Sequence, residues 1–274
     1  MENQVITQQQ KKSLSELMHS PAVVGKLNEV WNSQQMANSF ISSVISVANG
    51  NPQLRKAEPM SIIGAAMVAS TMQLQVIPTL GQCYIIPYGN KAQFQVGYLG
   101  LLQLCQRSGQ FKKILAAPVH EGEYISGDEF DEDYIFDRTK RKSDKVIGYM
   151  AKFELLNGFT KVAYWDIDKV KAHATKFSQA FRAGYNSPWK SDFDAMAQKT
   201  VLKSILKFAP KSIEMQNAVA FDQAVVNTNT SDVQDLDIDA FAPEYVDNIE
   251  SEKRENFAEK AAEAAKANVN ESKK

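Results

Sequence analysis

Apolar residues at Met36, Phe40, Ile41, Val44, Ile45 and Ala48 recur at the spacing of one helical face. Pro59 stands where a helix is favoured to begin. Ile62, Ile63, Ala66, Met67 and Val68 then go most of the way round its turns. This predicts a helix to about Gln73 that is buried, inside the domain or between subunits. The period then changes. Cys83–Tyr88 and Gln93–Val96 read as strands around a Gly89-Asn90 turn, a hairpin signal. A helix is predicted over 98–108, with Gly109 as its C-terminal cap. Strands are expected at 111–121, 146–156 and 159–165, the last two joined across Asn157-Gly158. Helices return at 166–180, 189–208 and 212–226, with Pro188 and Pro210 bounding the middle one.

The pattern predicts an α+β fold. N-terminal helices precede a central antiparallel sheet and hairpin core with packed helices, and a disordered acidic C-terminal tail follows. The corresponding domains are a helical oligomerisation region over 1–50, a core over 51–226 and a tail over 227–274.

Composition changes this picture in one respect. Two cysteines, Cys83 and Cys105, cannot make a disulfide framework and fit a reducing cytoplasm. The first twelve residues are polar and glutamine-rich, unlike a signal peptide. The net charge of −1, however, hides an asymmetry. Residues 1–230 carry 25 Lys and Arg against 20 Asp and Glu, and residues 231–274 carry 6 against 12. A basic domain with an acidic tail suits a polyanion partner, and a merely solubilising tail fits equally well.

The charged and aromatic residues fall into a few groups. Tyr84, Tyr88, Gln93, Gln95 and Tyr98 surround the hairpin, and Arg107, Lys112 and Lys113 follow. Flat rings, amides and positive charge suit a nucleic acid strand, though an ordinary amphipathic hairpin has the same residues. Lys199, Lys203 and Lys207 recur every four residues and fall within an arc of roughly 80° on a helix. Val201, Leu202, Ile205, Leu206, Phe208 and Ala209 are assigned to the opposite, core side. Lys112 and Lys113 are adjacent in a strand, so they are expected to point to opposite faces. The run Arg138–Lys145, with Lys140 and Arg141, either holds a phosphate backbone or pairs with the acidic run 128–133; the pairing is favoured. Trp189, with Tyr185 and Phe181, reads as a packing anchor or a surface for bases.

The usual catalytic patterns are missing. His19, His120 and His173 stand in unrelated contexts, and no Gly-x-x-x-x-Gly-Lys-Ser/Thr or Gly-x-Ser-x-Gly sequence is present. The acidic stretch 121–137 leaves one enzymatic alternative open, a metal-dependent nuclease.

Three blocks then carry a likeness. They are Leu80–Lys91; Gln93 through Gly97-Tyr98-Leu99-Gly100 to Arg107-Ser108-Gly109; and Pro188-Trp189 with Met196–Thr200 and Lys207–Ser212. In order and spacing, over about residues 35–225, the chain resembles the RecT family of phage single-strand annealing recombinases. The resemblance implies binding of single-stranded DNA and annealing without ATP or other conventional catalysis. It implies an oligomer, ring or helical filament, in the cytoplasm of a bacterial host. No cofactor is expected to be required, with Mg2+ at most modulating DNA binding. A phage exonuclease and a host single-strand-binding protein are the partners expected at the tail. The family commonly has arginine where Leu99 stands. The expected DNA contacts are Tyr84, Gln93, Gln95, Tyr98, Arg107, Lys112, Lys113, Lys140, Arg141, Trp189, Lys199, Lys203 and Lys207, around a groove of the hairpin, the helix after it and the lysine-bearing helix.

Overall fold

Serines begin the first three helices. The hydroxyls of Ser13, Ser20 and Ser33 accept N–H bonds from Glu16, Val23 and Met36, which starts α1 (Leu14–Met18), α2 (Pro21–Trp31) and α3 (Gln34–Gly50). The computed structural model describes residues 12–185 and 187–244. Next come α4 (Pro59–Thr71), the hairpin β1 (Cys83–Tyr88) and β2 (Lys91–Val96), and α5 (Tyr98–Arg107). Strand β3 (Phe111–His120) leads into a small pair, β4 (Tyr124–Ser126) and β5 (Ile135–Phe136), and then to β6 (Val146–Leu155) and β7 (Thr160–Asp166). Helices α6 (Ile167–Phe177), α7 (Gln179–Arg182), α8 (Pro188–Ser191), α9 (Phe193–Leu206) and α10 (Ile213–Ala220) follow, and β8 (Ala224–Asn227) and β9 (Ala242–Glu244) end the described chain. The fold is α+β with antiparallel sheets, as the sequence pattern predicts.

The described chain divides into two compact units, one of residues 12–95 with 220–244 and one of 96–219. In the first, the strand order is β1-β2-β8-β9. Helix α4 packs on this sheet and on α2. Gly64 permits the approach, because a Cβ there would stand 2.9 Å from Thr228 Cγ2 and 3.2 Å from Val226 Cβ. The start of α4 is tied to the hairpin. Ser61 Oγ donates to the Glu58 carbonyl (2.7 Å) and accepts the Ala92 N–H (2.8 Å), and the Glu58 N–H donates to the Asn90 carbonyl (2.7 Å).

Every residue from Ser61 to Ser70 is buried. The all-apolar helix therefore offers no surface for a subunit contact; it is interior to the chain. Helices α1–α3 pack with it in the same unit, so residues up to 50 do not form a region apart from the hairpin.

The second unit is built on a sheet of order β3-β6-β7. Alternation along β6 buries Tyr149, Ala151, Phe153 and Leu155 and turns Met150, Lys152 and Glu154 to the other face. Helix α9 lies against all three strands, and α5 packs on β3 and α9. The excursion between β3 and β6 is anchored, with Tyr124 stacked on Tyr164 at 5.0 Å.

Three sequence expectations change. The helix expected over 189–208 is interrupted at Asp192, whose carboxylate caps α9 by accepting the Ala195 N–H. The helix expected over 212–226 stops at Ala220. Gln223 turns the chain at φ 64°, and its N–H donates to the Phe94 carbonyl (2.8 Å), which seats β8 beside β2. Order also continues past Asn227, because Val233, Leu236 and Phe241 are buried and β9 pairs with β8. The expected tail beyond Glu244 lies outside the described residues.

Candidate nucleic-acid interface

Positive charge is segregated between the units. Residues 96–219 hold 19 Lys and Arg against 15 Asp and Glu, whereas residues 1–95 with 220–244 hold 6 against 10. The second unit therefore has the charge that suits a polyanion.

Helix α9 does not present the three lysines as one solvated row. Lys199 is 4% exposed, Lys203 is half-buried and Lys207 is exposed at the C-terminal cap. The reason is that α9 has no free face at its middle, being packed on the sheet, on α5 and on α8. Lys203 lies near His173. Burial first, then the charges of Lys203 and Lys176, hold that imidazole below its ordinary value, so it is neutral at pH 7. Phe208, assigned to the core side by helical spacing, is instead exposed, because α9 has already ended at Leu206.

A bulge decides the geometry of Lys112 and Lys113. The β3–β6 register shifts between Phe111 and Lys113, so Lys113 pairs with Glu154 while Lys112 Nζ also reaches the Glu154 carboxylate at 2.6 Å. Lys112 thus bonds the carboxylate of the residue opposite Lys113, and the charge of Lys113 acts on the same carboxylate. Glu154 is held below the usual carboxylate range, first by the Lys112 hydrogen bond and then by the charges of Lys112, Lys113 and Lys152. Arg107 ends α5 nearby in sequence, and its charge adds to the Ser212 hydrogen bond in lowering Glu214.

The acidic run 128–133 pairs elsewhere than expected. Glu132 bridges to Lys161 and Glu129 to Lys169 (2.9 Å), while Arg141 takes Asp144 (2.8 Å). Lys140 is exposed in the turn before Arg141. The favoured pairing of 128–133 with 138–145 is thus replaced by pairing with lysines of β7 and α6, which the stacking on Tyr164 brings close. Among the described residues no group of three or more His, Cys, Asp or Glu side chains is placed to hold a metal ion.

The hairpin residues belong to the first unit. Tyr84 and Gln93 are half-buried, and Gln95 is 4% exposed. Tyr98, in the second unit, is committed to edge strand β3: its hydroxyl donates to the Ala116 carbonyl (3.0 Å) and accepts the Ala116 N–H (3.3 Å). Trp189 is buried among Phe181, Phe193 and His173, which is the packing-anchor alternative.

Sequence reasoning missed Lys161 and Lys169. Each ammonium lies over an aromatic ring, Lys161 over Phe208 at 4.3 Å and Lys169 over Trp165 at 5.0 Å. Their signal was present only as alternation along β7 and the first turn of α6, without a motif.

The model of the RecT family matches residues 38–235. This chain belongs to the RecT family. The match takes in α4, both sheets except β9, and all of the basic unit. A Bacillus subtilis protein, YqaK, whose function is uncharacterised, is 42% identical over 260 residues, which is 94% of this chain and 87% of that protein. Protein RecT of Escherichia coli is 29% identical over 181 residues, 63% of this chain and 66% of that protein. Membership places the chain in DNA recombination by single-strand annealing, with single-stranded DNA as ligand and an oligomer as the working form. Leu99, where RecT relatives commonly have arginine, is 47% exposed near the start of α5 and can make no ionic contact there.

Proposed function

We propose that this chain anneals complementary DNA strands without hydrolysing ATP, as an oligomeric ring or helical filament. The observation that carries the reading is the RecT family match across 38–235. The concentration of Lys and Arg in residues 96–219 supports it. Arg107, Lys113, Lys203 and Lys207 are the proposed phosphate contacts, with Lys112 joining them if DNA displaces it from Glu154. In the first unit, Tyr84 and Gln93 are proposed separately as contacts to bases or sugars. Backbone contacts hold a strand in register while its base edges stay free. Neutralising the phosphates lowers the repulsion between two strands, and alignment makes pairing nearly intramolecular. The protein reads no sequence; Watson–Crick pairing does. A phage exonuclease and a host single-strand-binding protein are proposed partners of the C-terminal segment.

The test mixes complementary oligonucleotides in succession with the purified chain, without nucleotide triphosphates and with chelator, following pairing by fluorescence quenching and particle size by light scattering. Faster duplex formation on large particles is expected. Pairing no faster than in buffer overturns the reading. Shortening of a labelled single strand when magnesium is added would favour the nuclease alternative instead.

A further inference from the structure

Phe208 is 51% exposed, two residues past the end of α9, and two cations flank its ring. Lys207 Nζ stands 4.9 Å from the ring centroid, and Lys161 Nζ, from the start of β7, stands 4.3 Å away. The lysines come from separate elements, so the arrangement is set by tertiary structure and not by helical spacing alone. Lys161 is further oriented by its ion pair with Glu132. Phe130, Phe159 and Phe177 are exposed as well, but among the described residues none of these three has two ammonium groups over its ring. A half-exposed ring with two ammonium groups over it offers a base a flat apolar face once an ammonium moves from the ring to a neighbouring phosphate. That chemistry suits one kind of small unit well: a nucleobase carrying phosphates on either side.

We propose that Phe208, Lys161 and Lys207 form a subsite for one nucleotide of single-stranded DNA. The ring stacks on the base and the ammonium groups take the flanking phosphates. This inference rests on the reading that the chain binds single-stranded DNA, and adds where a base is held. Every base has a π-face, so the subsite accepts any sequence, as annealing requires. The carboxylate of Glu132 competes with a phosphate for Lys161. Stacking on Phe208 occupies the face of the base and leaves its Watson–Crick edge open to a second strand.

The experiment uses the full chain and two fluorescent probes of equal length, an oligo-dT and an abasic deoxyribose-phosphate oligomer, read by anisotropy. Phe208→Ala is expected to weaken oligo-dT binding about tenfold while leaving the abasic probe unchanged. Phe208→Trp keeps the preference for oligo-dT. Lys161→Gln and Lys207→Gln weaken both probes alike and flatten the salt dependence, and Glu132→Gln tightens both. Phe208→Ala that binds oligo-dT like the unaltered chain, or that loses both probes equally, overturns the subsite. Failure of the unaltered chain to bind either probe overturns the proposed function itself and the subsite with it.

Discussion

Tyr149 has one polar atom inside a buried ring, and that hydroxyl donates to the Asp194 carboxylate in the first turn of α9. Tyr149→Phe removes a hydrogen bond to a charged group, an expected loss of about 1.5–3 kcal/mol measurable by urea unfolding at neutral pH. The surroundings also raise the phenol's pKa, by burial first and then by the Asp194 bond and charge. Burial, followed by the charge of Asp166, pushes Tyr164 up to about 12. Because both folded values lie above the ordinary value of 10, the unfolded chain loses these protons first. Both contributions are complete below pH 10; that of Tyr164 is lost as pH rises toward 12, and that of Tyr149 at higher pH still. The tyrosine contribution to stability should therefore hold below pH 10 and fall above it, with tyrosinate absorbance tracking the loss. The cysteines follow the same physics. Burial pushes the Cys105 thiol up to about 12 and the Cys83 thiol higher still. Neither should react with a thiol reagent at neutral pH until denaturant is added; labelling of the native chain would contradict the burial. At this scale the sequence showed residue type well and environment poorly. Lys199 and Lys207 looked alike, yet only the second is exposed, because what packs on α9 is decided by elements far along the chain.

Helix α4 and strand β8 meet at Gly64. An alanine there places a Cβ against Thr228 Cγ2 at 2.9 Å, which rotation of Thr228 can relieve, and against Val226 Cβ at 3.2 Å, which no rotation moves. Overpacking costs about 1–3 kcal/mol, and the better helix propensity of alanine returns up to ~1 kcal/mol. Gly64→Ala should lower the melting temperature modestly and Gly64→Val much further; equal melting temperatures for all three chains would refute the close contact. Ser61→Ala leaves the Ala92 N–H without its acceptor and should cost about 1–3 kcal/mol. Elements with a clear period were legible: the hairpin, α4, α5 and the three-stranded sheet all fall where alternation and helical spacing put them. What local pattern could not reach was pairing with distant chain. Ala224–Asn227 is a short apolar run that fits helix or strand equally, and β2 and β9 on either side make it a strand. The bulge at Lys112 is likewise a property of two strands, and no single strand reveals it.

For the whole molecule, the charge asymmetry seen along the sequence becomes an asymmetry between folded units. Residues 231–244 carry five acidic side chains and no lysine or arginine, whereas 245–274 carry seven acidic and six basic ones. The acidic part of the expected tail is thus largely the segment that packs Val233, Leu236 and Phe241 into the first unit. Two truncations separate fold from charge. Ending the chain after Glu244 removes a net charge of only −1 and should leave the electrostatic part of DNA affinity nearly unchanged. Ending it after Val226 removes β9 and those three buried side chains, and should cost more than ~3 kcal/mol. A deletion from 231 onward cannot test competition between tail and DNA, since it damages the first unit as it strips the charge. The cleaner variant keeps the chain and changes Asp232, Asp235, Asp237 and Asp239 to Asn. Asn Oδ1 can still accept the N–H bonds that Asp232 and Asp237 take from Gln234 and Asp239, so the turns survive while four charges go. If the acidic segment repels or competes with DNA, affinity for oligo-dT rises at low salt and the difference shrinks at high salt. Equal affinity at every salt concentration would mean that the acidic unit is electrostatically indifferent to the strand, and that the basic unit alone governs binding.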